Sequence, residues 1–331
     1  MMPAGSDLLE TGRRQLDAGD VKAAAVAFEQ AFIVRPGLID AYRSTTVSAA
    51  LRELCLLAHS TIRDHHMQRY ALVLEPLQAA FGASSLQRVC AFTRIFHGLD
   101  PVPTLHPLQR PSYHCFPGLR AQPWWGTEPF SWRQPLVQAA DEICAELEAA
   151  IGDSTLPLQP YVPETHAEPG WEALRGQLAW GSLHLLKAGL TTELADTFPR
   201  SVSAVKSLPL AQIDGQAPEA FFSVLRPGAR IPPHTGLANT KLTVHLPLRV
   251  NRDCRLTVGG EQRNWLQGSV LVFDDSFVHE ACNLGQTERV VLITEIWHPE
   301  LTAAERQGLS AVVASYEQWH RHVRATVEAE T

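Results

Sequence analysis

The 331-residue sequence lacks the features that mark several protein classes. No apolar run approaches the ~18 residues that a membrane-spanning helix needs. Lys and Arg number 28 against 35 Asp and Glu, so the basic excess typical of nucleic-acid-binding proteins is missing. With 45% hydrophobic and only 19% charged residues, the composition also excludes a largely disordered chain. We therefore expect a globular protein with neither a nucleic-acid partner nor a membrane span.

The six cysteines form no CxxC pair, and a chain of this size does not need disulfides to fold. The first residues lack the basic start and apolar core of a secretory signal. These features predict reduced cysteines and a cytoplasmic protein.

Residues 1–100 are predicted to form an α-helical extension. Small and large residues at Leu8, Gly12, Ala24 and Phe28, followed by Pro36, have the spacing of one tetratricopeptide-like helix pair. No second copy follows 34 residues later, although such units usually need neighbours to bury their faces. The extension is therefore either an ordinary helical packing domain or a surface that binds a partner or mediates self-association.

Residues 101–331 are predicted to form the second domain. An amphipathic helix is expected over 134–152, and a final helix over about 302–328. Between them, short β-rich runs such as FFSVLRPG, KLTVHLPLRV and RVVLITEIW are separated by Gly and Pro turns. This pattern predicts an antiparallel barrel or sandwich. Trp124 and Trp125 are expected either in its core or in the wall of its active site.

Two histidines in this β-rich part are candidate metal ligands. His234 lies in PPHTG and His279 in FDDSFVHE, each at the end of a predicted strand. A hairpin centred on Leu284 would place His279 opposite Arg289. A guanidinium beside a metal ligand is favourable only if an anion lies between them, which predicts a carboxylate-bearing co-substrate.

Gly236 does not fit the usual iron-oxygenase motif, in which His-x-Asp or His-x-Glu is followed by a distant His. Glycine has no side chain that can bind a metal. The residues alone therefore support only two protein ligands.

Residues 106–305 resemble the aspartyl/asparaginyl β-hydroxylase family. The segments PHTG, GSVLVFDDSFVHE and IWHPELT carry the resemblance through their order and spacing. It implies a double-stranded β-helix (jelly-roll, cupin-like) in an α+β chain that binds Fe(II) and 2-oxoglutarate and uses O2. It also implies two histidine ligands with a glycine in place of the carboxylate, so Gly236 becomes a supporting feature.

The resemblance assigns a role to each candidate site residue. His234 and His279 would bind iron, and Asp275 would act beside them by holding iron-bound water. Arg289, assisted by Ser223, would bind the distal carboxylate of 2-oxoglutarate, and His245 its other end. The reaction implied is hydroxylation of an unactivated C–H bond with release of succinate and CO2.

The substrate remains open because one position departs from the family. Thr243 stands where animal members have an arginine that contacts the substrate side chain, and Lys241 lies two residues away on the same strand face. The substrate is then the β-carbon of Asp, Asn or a related residue in a peptide or protein, or a small or lipid-linked molecule. A non-catalytic barrel scaffold and a cupin-like enzyme that does not use 2-oxoglutarate are the alternatives.

Overall fold

The computed structural model describes residues 5–103, 106–152 and 158–329. The chain folds as two compact units, one of residues 1–100 with 307–331 and the other of residues 101–306. The second unit thus ends at residue 306, whereas the sequence led us to expect a domain that continues to residue 331. Trp319 and Val323 pack on Ala25 in the helical unit, which accounts for the difference.

Helices and strands both contribute to the fold, and the predicted α+β class is confirmed. The helices are α1 (Gly5–Asp17), α2 (Val21–Val34), α3 (Ala49–Phe81), α4 (Gln87–Phe96), α5 (Arg133–Gln138), α6 (Ala140–Gly152), α7 (Pro199–Lys206) and α8 (Ala303–Ala329). The strands are β1 (Trp124–Trp125), β2 (Gln159–Pro160), β3 (Trp180–Lys187), β4 (Leu190–Thr191), β5 (Ala220–Leu225), β6 (Arg230–His234), β7 (Lys241–Arg249), β8 (Cys254–Val258), β9 (Glu261–Arg263), β10 (Leu271–Phe273), β11 (His279–Asn283) and β12 (Arg289–Trp297).

The helical unit begins with the closely packed pair α1 and α2. The Asp20 side chain accepts a hydrogen bond from the Ala23 N–H at 2.9 Å and so caps the start of α2. Gly12 lies under the ring of Phe28, which is fully buried. The absence of a side chain at Gly12 therefore sets how closely the two helices approach, whereas a tetratricopeptide-like role for the pair stays a prediction.

The second unit is a double-stranded β-helix built from two antiparallel sheets. The larger sheet has the strand order β1-β10-β7-β12-β5-β3-β2, with β4 on β3, and the smaller has the order β6-β11-β8-β9. The predicted amphipathic helix lies on this unit as α5 and α6, which meet at Ala139. Four residues of its predicted apolar face, Leu136, Ala140, Ile143 and Leu147, are buried in the core, whereas the side chain of the fifth, Ile151, lies outside the described part.

The two adjacent tryptophans contribute to the core rather than to a pocket wall. Trp124 packs with Phe273 and Trp265, and Trp125 lies in the larger core cluster with Leu136. Both are less than a tenth exposed. Of the two expectations for this pair, the core position is the one that the structure supports.

The predicted hairpin between His279 and Arg289 is wrong. Strand β11 pairs with β6 and β8, whereas β12 pairs with β5 and β7 in the other sheet. The amide of Asn283 donates to the carbonyls of Leu225 and Thr287 at 2.9 and 2.8 Å. These bonds satisfy backbone groups where the chain leaves one sheet for the other, so no tight turn folds β12 back on β11.

All six cysteines are free, as expected from their spacing. Within the described ranges, no helix combines the length and apolar character that crossing a bilayer requires.

The packing of Gly12 on Phe28 gives a stability prediction. A Cβ at position 12 would lie 2.5 Å from the Phe28 ring, so Gly12→Ala should destabilise the full chain by about 1–3 kcal/mol in urea unfolding. Gly37→Ala is the matched control, because nothing lies within 4 Å of a Cβ there. Equal stability of the two variants would contradict the close approach of α1 and α2.

Candidate functional site

The two predicted metal ligands are direct neighbours across the smaller sheet. His234 at the end of β6 pairs in register with His279 at the start of β11. Their ring centroids are 4.0 Å apart. Strand pairing thus brings together two residues that are 45 positions apart in the chain. The sequence predicted that the two histidines would share a site, but it paired the strand of His279 with the wrong neighbour.

Backbone carbonyls fix the orientation of both rings. His234 Nδ1 lies 2.8 Å from the carbonyl oxygen of Pro232, and His279 Nδ1 lies 2.9 Å from that of Phe277. A carbonyl only accepts hydrogen bonds, so each Nδ1 carries the proton and each Nε2 keeps a free lone pair. Burial and the neighbouring His234 lower the pKa of His279 to about 3, which keeps this ring neutral. Neutral imidazoles held in this way are typical of metal ligands.

The glycine two residues after His234 makes room for a carboxylate from another segment. A Cβ at Gly236 would lie 2.3 Å from Cγ of Asp275. The N–H of Gly236 also donates to the backbone carbonyl of Asp275 at 2.6 Å. The side chain of Asp275 therefore occupies the space that a third ligand at position 236 would need.

Asp275 has an unused acceptor atom inside the pocket. Its Oδ1 is buried and has no hydrogen-bond partner among the described residues. Burial raises the pKa of Asp275 to about 6, although the Lys241 charge and a hydrogen bond from Thr243 oppose this shift. An ionised carboxylate with a free oxygen here suits a water molecule beside a metal held by the histidines.

Arg289 is a buried cation without an acidic partner among the described residues. Its side chain is 1% exposed, and its Nη1 donates to Ser223 Oγ at 3.4 Å. The Trp180 indole N–H donates to the same oxygen at 2.9 Å, and the guanidinium lies over the Trp265 ring. Burial lowers the pKa of Arg289 to about 10, so the group stays charged at neutral pH. A buried, unpaired guanidinium is suited to an anionic ligand.

A hydrogen bond from a tryptophan fixes which ring nitrogen of His245 carries the proton. The Trp265 indole N–H donates to His245 Nδ1 at 3.1 Å, so the proton of the neutral ring lies on Nε2. Burial and the Arg289 charge lower the pKa of His245 well below its ordinary value. His245 can therefore donate one hydrogen bond, which fits the predicted contact with a carboxylate.

Lys241 and Thr243 line the same cavity, on the face of β7 that also carries His245. Lys241 forms a buried ion pair with Glu295, a residue that the sequence reasoning did not identify. Burial opposes the charge on Lys241, but Glu295 and Asp275 outweigh it and raise the pKa of the ammonium group. Glu295 lies opposite Thr243 in register, so only the strand pairing reveals it.

An aromatic wall completes a cavity of about 360 Å³. Tyr161 stacks on Trp180 with centroids 4.0 Å apart, and Trp171 meets the ring of His234 edge-on at 5.2 Å. These aromatic residues were also missed, because they come from loops and a strand whose sequences carry no motif. The cavity holds all eight predicted site residues: His234, His279, Asp275, Arg289, Ser223, His245, Lys241 and Thr243.

The residues present fit a metal ion and an anionic co-substrate. Two Nε2 lone pairs, a free carboxylate oxygen and the space kept open by Gly236 fit a divalent ion with two histidine ligands. Arg289, Ser223 and His245 lie on the strands of the larger sheet around the same cavity and supply donors for carboxylates.

Comparison with known proteins assigns the matched region to a family. Residues 138–299 match the model of the family described as Aspartyl/Asparaginyl beta-hydroxylase. These residues are similar to the aspartyl/asparaginyl β-hydroxylase family. The resemblance predicted from the sequence is thereby confirmed, and the matched hydroxylase-family region includes all of the predicted site residues.

Curated relatives of the hydroxylase-family region cover different shares of this chain. The human aspartyl/asparaginyl beta-hydroxylase is 30% identical over 201 residues, which are 59% of this chain and 25% of the relative. Aspartate beta-hydroxylase domain-containing protein 2 of Xenopus tropicalis is 32% identical over 62% of this chain and 55% of the relative. Its human counterpart is 37% identical over 41% of this chain and 38% of the relative. The chain thus spans between a quarter and about half of these relatives.

Solved structures similar to the chain include the cupin domain of Schizosaccharomyces pombe Cnp3. It is 12% identical and covers 37% of this chain and 66% of its own, with a TM-score of 0.25. A likeness at this level adds nothing to the reading of the site.

The fit of Gly236 against Asp275 can be tested by a double-mutant cycle. Gly236→Ala should destabilise the metal-free protein by about 1–3 kcal/mol in urea unfolding, because the new Cβ displaces the carboxylate. In an Asp275→Ala background the same change should cost at least about 1 kcal/mol less. The same cost in both backgrounds would show that the two positions do not compete for space.

Proposed function

We propose that this chain is an Fe(II)- and 2-oxoglutarate-dependent hydroxylase. The observation that carries the proposal is the pocket itself, whose lining combines a two-histidine pair with a buried arginine that has no acidic partner among the described residues. Iron and 2-oxoglutarate, when bound, would supply the oxidation of an unactivated C–H bond by O2, with release of succinate and CO2. The free cysteines favour a reducing compartment, and we propose the cytoplasm.

The residues of the chain bind, orient and exclude water. His234 and His279 would hold iron through Nε2, since both Nδ1 atoms are engaged by backbone carbonyls. Arg289 and Ser223 would bind the distal carboxylate of 2-oxoglutarate, and Nε2 of His245 would donate to its other end. Asp275 would hold a water molecule beside the metal through its free oxygen. The aromatic wall would keep bulk water away from the reacting carbon.

The charges at the substrate end of the cavity favour an uncharged side chain. Lys241 is already paired with Glu295, while Glu219 and Asp275 add further negative charge to the same lining. A carboxylate arriving there would face a net negative surface, whereas an amide would not. We therefore propose the β-carbon of an asparagine or a related uncharged residue in a peptide or protein as the substrate, with aspartate accepted less well. A small or lipid-linked substrate remains the alternative.

Succinate release tests the reaction. Purified full chain with Fe(II), 2-oxoglutarate and ascorbate should form succinate, with or without coupled hydroxylation of a peptide. Arg289→Gln should raise the KM for 2-oxoglutarate by at least about tenfold, because a buried charge-assisted bond worth about 1.5–3 kcal/mol is lost. Arg255→Ala, at an exposed position on β8, is the control and should leave the KM unchanged.

Two results would overturn this proposal. Turnover without iron, or no succinate under any condition, would exclude this reaction for the chain. A full rate of turnover by Arg289→Gln without 2-oxoglutarate would instead favour a cupin-like enzyme that does not use this co-substrate.

The role of Glu295 in substrate choice gives a separate prediction. Matched Asn and Asp peptides should differ in kcat/KM in favour of Asn. Glu295→Gln keeps the side-chain shape but frees the Lys241 ammonium group, so the Asp/Asn ratio of kcat/KM should rise about tenfold. The ratio is independent of any general loss of activity. An unchanged ratio would show that the ion pair does not set the choice.

A further inference from the structure

A second group of metal-binding residue types lies in the helical unit. Glu29 of α2, His66 of α3 and His320 of α8 each offer a ligand atom, and these atoms lie within 4.8 Å of one another. All three residues belong to the unit of 1–100 and 307–331. No motif or local spacing links these three residues, because helix packing alone brings them together.

Hydrogen bonds inside the unit do not account for this group. Glu29 accepts a hydrogen bond from the Trp319 indole N–H, and its Oε1 lies 2.5 Å from Nδ1 of His320. His66 is 1% exposed, yet its Nδ1 has no partner among the described residues, and Nε2 of His320 is buried without one as well. A Glu–His ion pair alone therefore leaves the buried Nδ1 of His66 unsatisfied, at a cost in stability.

The surroundings of His66 favour its neutral form. Its ring stacks near His97 and His320, with centroids 5.1 and 5.9 Å away. Burial lowers the pKa of His66 to about 2, and the nearby His97 and His320 add to this effect. A buried neutral imidazole with a free lone pair is a form in which histidine binds metals. Beyond this ring, the Tyr70 hydroxyl lies 2.9 Å from Nε2 of His97 and holds that ring in place.

The group opens on a cavity of about 630 Å³ within the helical unit. Besides the three candidate ligands, its lining includes His59, His97 and apolar side chains such as Phe32 and Ile62. A metal held by three protein ligands here would keep a position for water or a small ligand on the cavity side.

We propose that Glu29, His66 and His320 bind a divalent transition-metal ion of the zinc type, with one coordination position open to the cavity. The site would be separate from the iron site of the β-helix, and the proposal does not depend on the proposed oxygenase function.

The donor set narrows the choice of ion. Two imidazole nitrogens and one carboxylate oxygen suit Zn²⁺, Co²⁺, Ni²⁺ or Fe²⁺, whereas Mg²⁺ and Ca²⁺ prefer sites made of oxygen ligands. Ligand atoms around a tetrahedral zinc ion lie about 3.3 Å apart. Binding would therefore require Oε1 of Glu29 and Nδ1 of His320 to separate slightly and the more distant ligand atoms to approach one another.

Metal stoichiometry of the full chain tests the proposal, with Zn²⁺ and Co²⁺ as probes. The His279→Ala variant removes a ligand of the β-helix site and should bind one equivalent. Adding His320→Asn should abolish the remaining equivalent or weaken its Kd by at least about 100-fold. His322→Asn, at an exposed position on the same helix, is the matched control and should bind like its parent. Glu29→Gln retains an acceptor for Trp319 and serves as the second variant.

The readouts separate the outcomes. Zn²⁺ should raise the Tm of His279→Ala, and Co²⁺ should give the intense visible absorption of a four-coordinate site, with both effects lost in His279→Ala/His320→Asn. Unchanged Kd and spectrum in both the His320→Asn and Glu29→Gln backgrounds would overturn the proposal and leave a plain ion pair. If His279→Ala binds as much metal as the unmodified chain, His279 is not a metal ligand and the proposed β-helix site is wrong. The effect of His320→Asn still tests the helical site in that case.

Discussion

The site depends on one close approach, in which the backbone of Gly236 meets Asp275. Their hydrogen bond of 2.6 Å connects the residues after β6 to the segment before β11. In the adjoining strands, the same side-by-side arrangement pairs His234 with His279. Because position 236 has no side chain, the carboxylate that would usually follow the first histidine is replaced by one from the partner segment. The two histidines then gain a neighbouring acid that is close to them without being adjacent in the chain.

Charge is distributed unequally between the two ends of the cavity. Arg289 is buried against Ser223 and Trp265 without an acid, whereas Lys241 is neutralised by Glu295. A cation without an acidic partner is costly to bury. This cost is the reason for proposing that an anion binds at the arginine end. At the other end the paired lysine contributes little free charge. The same strand, β12, supplies both Arg289 and Glu295 and so sets this polarity.

The sequence predicted the structure correctly where a hydrophobic periodicity or a short motif was present. The strands and the face of the helix over 134–152 followed from alternation, and PHTG and FDDSFVHE singled out the two histidines that the structure places side by side. The pairing of His279 could not be read, because a short loop with Asn and Gly suggests a hairpin when the Asn283 side chain in fact bridges two sheets. A related reason explains why the sequence did not predict Glu295 or the group of Glu29, His66 and His320. Their partners lie on other strands or helices, and no local spacing links them.

The competition for space between positions 236 and 275 also has a consequence for how such sequences can diverge. A side chain at 236 and a carboxylate at 275 exclude each other sterically, so neither position can drift alone without loss of packing. A move toward the three-ligand pattern would need both changes together, with an intermediate that is either overpacked or short of a carboxylate. The steric conflict at Gly236 therefore opposes any single substitution that would convert the two-histidine arrangement into a three-ligand one.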